Sequence, residues 1–221
     1  MNTEYPIVVN ESVLKNEVVE ERKQFLNLAK GKNWDLVLEF LKENGPSMVN
    51  ACTLPVDESS VIDLNTVLHW AARGRASEDI FKELIAMGAS KSLKNANGET
   101  AFDIAKSEGL SQPILDILSL PQAVKDNEKD IDALETGLHK AINGRVADLI
   151  KKNGMRLPQV PYVLEFGQAW YPVPGMYGGF NITTHEKGLV TESWCRVAGG
   201  SGQRHVIDRT GNVELVDEGF V

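Results

Sequence analysis

Residues 66–100 read TVLHWAARGRASEDIFKELIAMGASKSLKNANGET, and the reading of this stretch decides the fold. Val67, Leu68, Ala71 and Ala72 are small or apolar at helical spacing, which predicts a short helix able to lie close against a neighbour. Gly74 ends it. Ser77 is a good N-cap for a second helix, and Glu78 and Asp79 stand in its first turn, where they complement the helix dipole. Ile80, Leu84 and Ile85 form that helix's buried stripe. Gly88 sits where a left-handed residue closes a helix, and Asn97-Gly98 supplies a tight turn before the next helix begins near Thr100. A single unit of this kind, about 33 residues long, cannot bury its own apolar face, so stacked copies are expected on both sides.

Copies are legible in both directions. Thr100, Ala101, Phe102, Ile104 and Ala105 begin a following unit, Gly109 ends its first helix, Ile114, Leu115 and Ile117 stripe its second, and Pro121 breaks the pattern. Upstream, residues 13–30 predict one helix, and Asn33 caps another that holds Trp34, Leu36, Val37, Phe40 and Leu41 until Gly45-Pro46. A long connection at 46–65 follows, expected to be a partner-contacting insertion or a flexible bridge. A fourth unit is expected in ALETGLHKAINGRVADLIKKNG, with a turn at Gly144 and an end at Gly154. The charge run at 125–132 reads as a solvated loop or helix face.

The quoted unit resembles an ankyrin repeat. The usual Thr-Pro-Leu-His opening of that family stands here as Thr66, Val67, Leu68, His69 and then as Thr100, Ala101, Phe102, Asp103. The resemblance covers roughly residues 13–154. It implies a mainly α chain, an ankyrin-repeat helical solenoid of about four helix-turn-helix units with degenerate outer ones, and a protein–protein interaction role. The family's histidine ties loops together by hydrogen bonds, and His69 and His139 take that place. Neither is expected to bind metal, and no cofactor is expected. Bacterial proteins of this type and size often look like accessory, inhibitor or immunity-type partners that neutralise a secreted toxin or enzyme such as a phospholipase.

Composition fits that picture. The 221 residues carry a formal charge of −8, which argues against a nucleic-acid surface and suits a basic protein partner. No basic segment precedes an apolar run near the N-terminus, and no stretch approaches the length of a membrane span, so a cytoplasmic address is expected. Cys52 and Cys195 form no CxxC pair and read as reduced thiols.

After Gly154 the texture changes. Residues 155–221 hold 8 of the 15 aromatic residues and 10 of the 19 glycines, with no helical period. This predicts a small antiparallel β-module with strands near 162–166, 180–184, 189–197, 204–208 and 213–216. The expected division is an N-terminal arm at 1–12, repeats at 13–154 and the β-module at 155–221. WYPVPGMYGGF (170–180) and SWCRVAGGSGQRH (193–205) resemble a recurrent C-terminal module of bacterial ankyrin proteins.

Two sets of site residues follow. For a protein partner, the candidates are Trp70, Arg73, Arg75, Lys94, Asn95 and Asn97 on the repeat, and Trp170, Tyr171 and Tyr177 in the module, with Trp194 a further aromatic. The alternative is a small-ligand, anion-binding or catalytic module. Gly199, Gly200, Ser201 and Gly202 would then cradle an anion, with Arg196, Arg204, His205 and His185 around it. A hairpin loop is the simpler account of those glycines, because neither a P-loop nor a G-x-S-x-G elbow is complete. Cys195 and His205 would face each other only if the hairpin turned symmetrically about Gly200. No catalytic residue is assigned, and a non-enzymatic protein is expected.

Overall fold

The computed structural model describes residues 4–57, 59–196 and 200–219. The chain forms two compact units, one of Asn10–Pro121 and one of Met1–Val9 with Gln122–Val221. This differs from the expected division at 154: residues 122–154 belong with the sheet, and so does the N-terminal segment.

The Asn10–Pro121 unit is three helix pairs. They are α1 (Asn16–Lys30) with α2 (Trp34–Asn44), α3 (Val67–Gly74) with α4 (Glu78–Ala86), and α5 (Ala101–Ser107) with α6 (Gln112–Leu118). First helices touch in the series α1, α3, α5, and second helices in the series α2, α4, α6. Ala71, Ala72 and Ala105 are fully buried at these contacts, where small side chains let helices approach closely. Phe25, Phe40, Phe81, Leu68 and Leu84 fill the space between the rows. Gly74 is the last residue of α3, and a Cβ there would meet the Trp34 ring at 2.7 Å. As expected, α3 ends at Gly74, and the left-handed residue that follows it is Arg75.

Much of the long connection is packed, although Val56 and Val61 are exposed. Val49, Ala51, Cys52, Leu54 and Ile62 are buried, and the Asn50 side chain donates to the Gly88 carbonyl (2.8 Å) and accepts from the Ser90 N–H (2.7 Å). A flexible bridge would leave these groups in water. Here they satisfy the end of α4, where Gly88 takes the expected positive φ.

The second unit holds α7 (Gln122–Asp126), α8 (Ile131–Lys152), α9 (Val160–Phe166) and a meander of β1 (Gln168–Val173), β2 (Gly178–His185), β3 (Gly188–Cys195), β4 (Ser201–Asp208) and β5 (Val213–Gly219). Around Gly144, where a helix-turn-helix was expected, α8 is two helical segments joined across a kink, with non-helical angles at Val146. Its buried stripe of Leu134, Leu138, Ala141, Ile142, Val146 and Ile150 continues past Gly144 and packs on β3, β4 and β5. Residues 162–166, expected as a strand, belong to α9. Pro161 stands in its first turn, where a missing N–H costs nothing, and Gly167 at φ 77° ends it. A short, continuously apolar run does not separate a buried helix from a buried strand.

The other four expected strands are present with shifted ends, and β1 is additional. Pro172 within β1 is tolerated because β1 is an outer strand of the sheet. Alternation places Ala169, Tyr171, Phe180, Ile182, Leu189 and Ile207 in the core beneath α8 and α9. Tyr5 closes this core. Its ring packs edge-on against Tyr162 (5.0 Å) and Tyr171 (5.8 Å), its N–H donates to the Trp170 carbonyl (2.7 Å), and its hydroxyl accepts from the Gln159 N–H (3.0 Å).

Candidate interaction surfaces

On the repeat, polar side chains divide into those that hold the backbone and those that face outward. His69 is the third residue of α3 and fully buried. Its Nδ1 accepts from the Thr66 N–H (3.1 Å), which leaves the proton on Nε2 to donate to the Glu99 carbonyl (3.1 Å). Burial lowers its pKa to about 4, so the ring is neutral and structural. His139 makes the analogous tie to the Pro158 carbonyl (2.9 Å).

Asn95, expected to meet a partner, is buried. Its carbonyl oxygen accepts from the Asn97 and Glu99 N–H groups, and its amide donates to Asn65 (3.0 Å) and Glu99 (3.1 Å). An Asx residue in a turn bonds its own backbone two residues on, which uses up the groups a partner would need. Hydrogen bonds from Asn95 and Asn97 hold the Glu99 carboxyl below the usual range.

Trp70, Arg73, Arg75, Lys94 and Asn97 do reach the surface. Arg73 pairs with Glu99 (3.3 Å), and Arg75 donates to the Glu108 carbonyl (2.6 Å). Trp70 is half-buried, the Lys30 ammonium lies 5.4 Å from its ring centroid, and its Nε1 has no acceptor among the described residues. Lys30, one unit upstream, was not anticipated. Only the stacking of α1 on α3 brings it there.

In the sheet unit the expected aromatic residues separate. Tyr171 is core, contrary to the expectation that it faces a partner. It is fully buried, donates to the Arg156 carbonyl (3.0 Å), and burial raises the pKa of its phenol. Trp170, one position earlier, is on the opposite face. Tyr177 is 73% exposed in a turn, with φ 54°. The Arg196 guanidinium stacks 4.2 Å from the Trp194 ring centroid. Trp170, Trp194, Asn181, Glu192, Arg204 and Asp217 line an open cavity of 380 Å³ on the sheet's outer face.

The anion set does not converge. Arg204 points outward to Glu192 (3.4 Å), whereas His205 lies on the other face, its pKa lowered by burial and by the neighbouring Arg145. Ser201 accepts from Arg145 through its carbonyl (2.9 Å) and hydroxyl (2.7 Å). Arg196 is on Trp194, and His185 lies at the opposite end of the β2–β3 ladder from Cys195. Gly202 is within β4, Gly200 precedes that strand, and Gly199 lies outside the described residues, as does Val197 at the end of the expected 189–197 strand. The register pairs Cys195 with Ser201 and His205 with Thr191, so cysteine and histidine do not face. The Cys195 thiol donates to the Met176 carbonyl (2.9 Å).

Among the described residues no helix is long and apolar enough to cross a membrane. Residues 63–96 match the ankyrin repeat family, a span that contains α3, α4 and the turn beyond them. No curated protein and no solved structure matches the chain.

Proposed function

We propose, from the ankyrin repeat at 63–96, that this chain is a non-enzymatic protein-binding module whose repeat unit grips its partner through the α3 surface carrying Trp70 and Arg73. The observation that carries the reading is Trp70. A partly exposed indole, beside the Lys30 ammonium and the Arg73–Glu99 pair, offers the residue types that dominate protein interfaces. Its role is that of a cytoplasmic accessory or inhibitor of the immunity type, holding a cognate secreted toxin or enzyme, such as a phospholipase, inactive. The chain's acidity supports encounter with a basic partner.

The test has two stages. The full chain and a Trp70→Ala/Arg73→Ala variant, both checked for helix content, are used to capture partners from the native host. The wild type is expected to hold one protein stoichiometrically and the variant to lose it. Equal retention would move the contact to another surface. The captured protein is then assayed alone and with one equivalent of the chain. Lost activity supports the inhibitor role, and full activity overturns it while leaving the binding reading intact.

A further inference from the structure

The two outer strands of the sheet are treated differently. Along β1, the N-terminal segment covers the free edge: Glu4 bridges to Trp170, and the Tyr5 N–H donates to the Trp170 carbonyl (2.7 Å). Along β5 nothing comparable occurs. Its residues pair with β4 on one side, and among the described residues none of 213–219 makes a backbone hydrogen bond to any other segment. The phase of the ladder shows which groups stand open. The Asp208 N–H donates to the Asn212 carbonyl (3.0 Å), so alternation makes Val206–Glu214 the next bonded pair. The N–H and C=O groups of Val213 and Leu215 therefore turn away from β4.

The side chains along this edge are as telling. Leu215 and Val216 are 47% and 46% exposed, an apolar pair flanked by Glu214 on one side and Asp217 and Glu218 on the other. Glu214 and Asp217 are exposed and make no ion pair among the described residues. They share the outer face, because the register shift between Arg204 and His205 absorbs Val216 as an extra residue. An open strand edge is a template for another strand, and acidic side chains decide which one. A second copy is disfavoured. A second copy would bring a strand carrying Glu214, Asp217 and Glu218 against the same three acids, and like charges across a strand pair are destabilising.

We infer that the β5 edge accepts an extended, basic segment of a partner protein as a sixth strand. Backbone bonds to Val213 and Leu215 supply the pairing, basic side chains on the outer face meet Glu214 and Asp217, and an apolar side chain on the other face covers Leu215. β5 and Trp70 belong to different units, so the inference stands or falls independently of the role proposed for the repeat.

The probe is a blocked seven-residue peptide alternating lysine with valine or threonine, titrated against the full chain at low salt. A glutamate counterpart and a scrambled lysine peptide serve as controls. Binding is read by fluorescence anisotropy, and strand addition by slowed amide exchange. The alternating basic peptide is expected to bind at least about tenfold more tightly than either control and to protect the amides of Val213 and Leu215. Leu215→Pro removes one outward N–H, and it is expected to weaken binding about tenfold while exchange in β2 and β3 shows the sheet intact. Glu214→Lys/Asp217→Lys, which leaves the backbone untouched, is expected to reverse the preference toward the glutamate peptide. Equal binding of the scrambled peptide, absence of protection at Val213 and Leu215, or unchanged preference in the double lysine variant would each overturn the inference. So would concentration-dependent self-association that protects the same amides, because the occupant would then be a second copy.

Discussion

The Asn10–Pro121 unit and the sheet unit are held together over very different distances along the chain. In the first, the ties that set the geometry are short: Thr66 to His69, Asn95 to Asn97, and at longer range His69 to Glu99, Asn50 to Ser90 or Glu11 to Pro55. In the second, the core is closed by residues from opposite ends of the sequence, Tyr5 with Gln159 and Tyr162 with Glu4. The difference teaches that local stacking and global closure fail in different ways. A lesion in the repeat should loosen its own helix pair, whereas a lesion at Tyr5 should undo a whole sheet unit.

The strongest way to break the comparison is Tyr5→Ala. The ring is 5% exposed and touches two buried tyrosines, so its loss is expected to cost about 3–5 kcal/mol, the range for deleting a large buried ring. Amide exchange measured site by site should accelerate throughout α8, α9 and β1–β4 while α3 and α5 keep their protection. Acceleration in both units to the same degree would show that they unfold as one.

A pH series sharpens the repeat side. The pKa of His69 is about 4 in the fold against 6.5 for the free side chain, and burial is the main cause. Between those values the unfolded chain takes up a proton that the folded chain refuses. Stability is therefore full above pH 6.5, falls as pH drops, and has lost about 3 kcal/mol by pH 4. His69→Gln is expected to abolish that slope. The readout is the urea midpoint for exchange in α3 at pH 7, 5.5 and 4.

The smallest expected effect is Asp103→Ala. Asp103 accepts from the Thr100 N–H (2.9 Å) and hydroxyl (2.7 Å), which makes the reciprocal cap at the start of α5. Its removal is expected to cost about 1 kcal/mol and to fray α5 without reaching the sheet. A loss confined to α5 and α6 amides would confirm how local the repeat's ties are.

These distances also explain what could be read from the sequence. The three helix pairs were legible because period, cap and stop all lie within one unit: Ser77 before α4, Thr100 before α5, Gly88 and Gly109 in left-handed closures. The unit boundary was not. Nothing local marks Tyr5 as part of a core with Tyr162, and the break near Gly144 does not tell that the helical segments of α8 pack on the sheet. Within the module, alternation found β2 to β5, yet it could not say that Tyr171 faces in and Trp170 out, since two adjacent aromatics carry no phase of their own. The candidate surfaces show the same limit. Trp70 and Arg73 were identified from their place on a short helix, whereas Lys30 beside Trp70 depends on stacking, and the open edge of β5 depends on strand order.

The placement of Tyr5 with the sheet bears on how the molecule is made. The repeat unit interrupts a discontinuous domain, so during synthesis residues 4–9 emerge long before Gln159, Tyr162 and Trp170, the groups they pair with. The helix pairs can close while those residues wait without a partner, and the sheet unit cannot complete until its later strands have left the ribosome. Vectorial folding thus has a built-in order, and a chain stalled after Pro121 would carry a finished repeat unit with a loose N-terminal strand segment ahead of it.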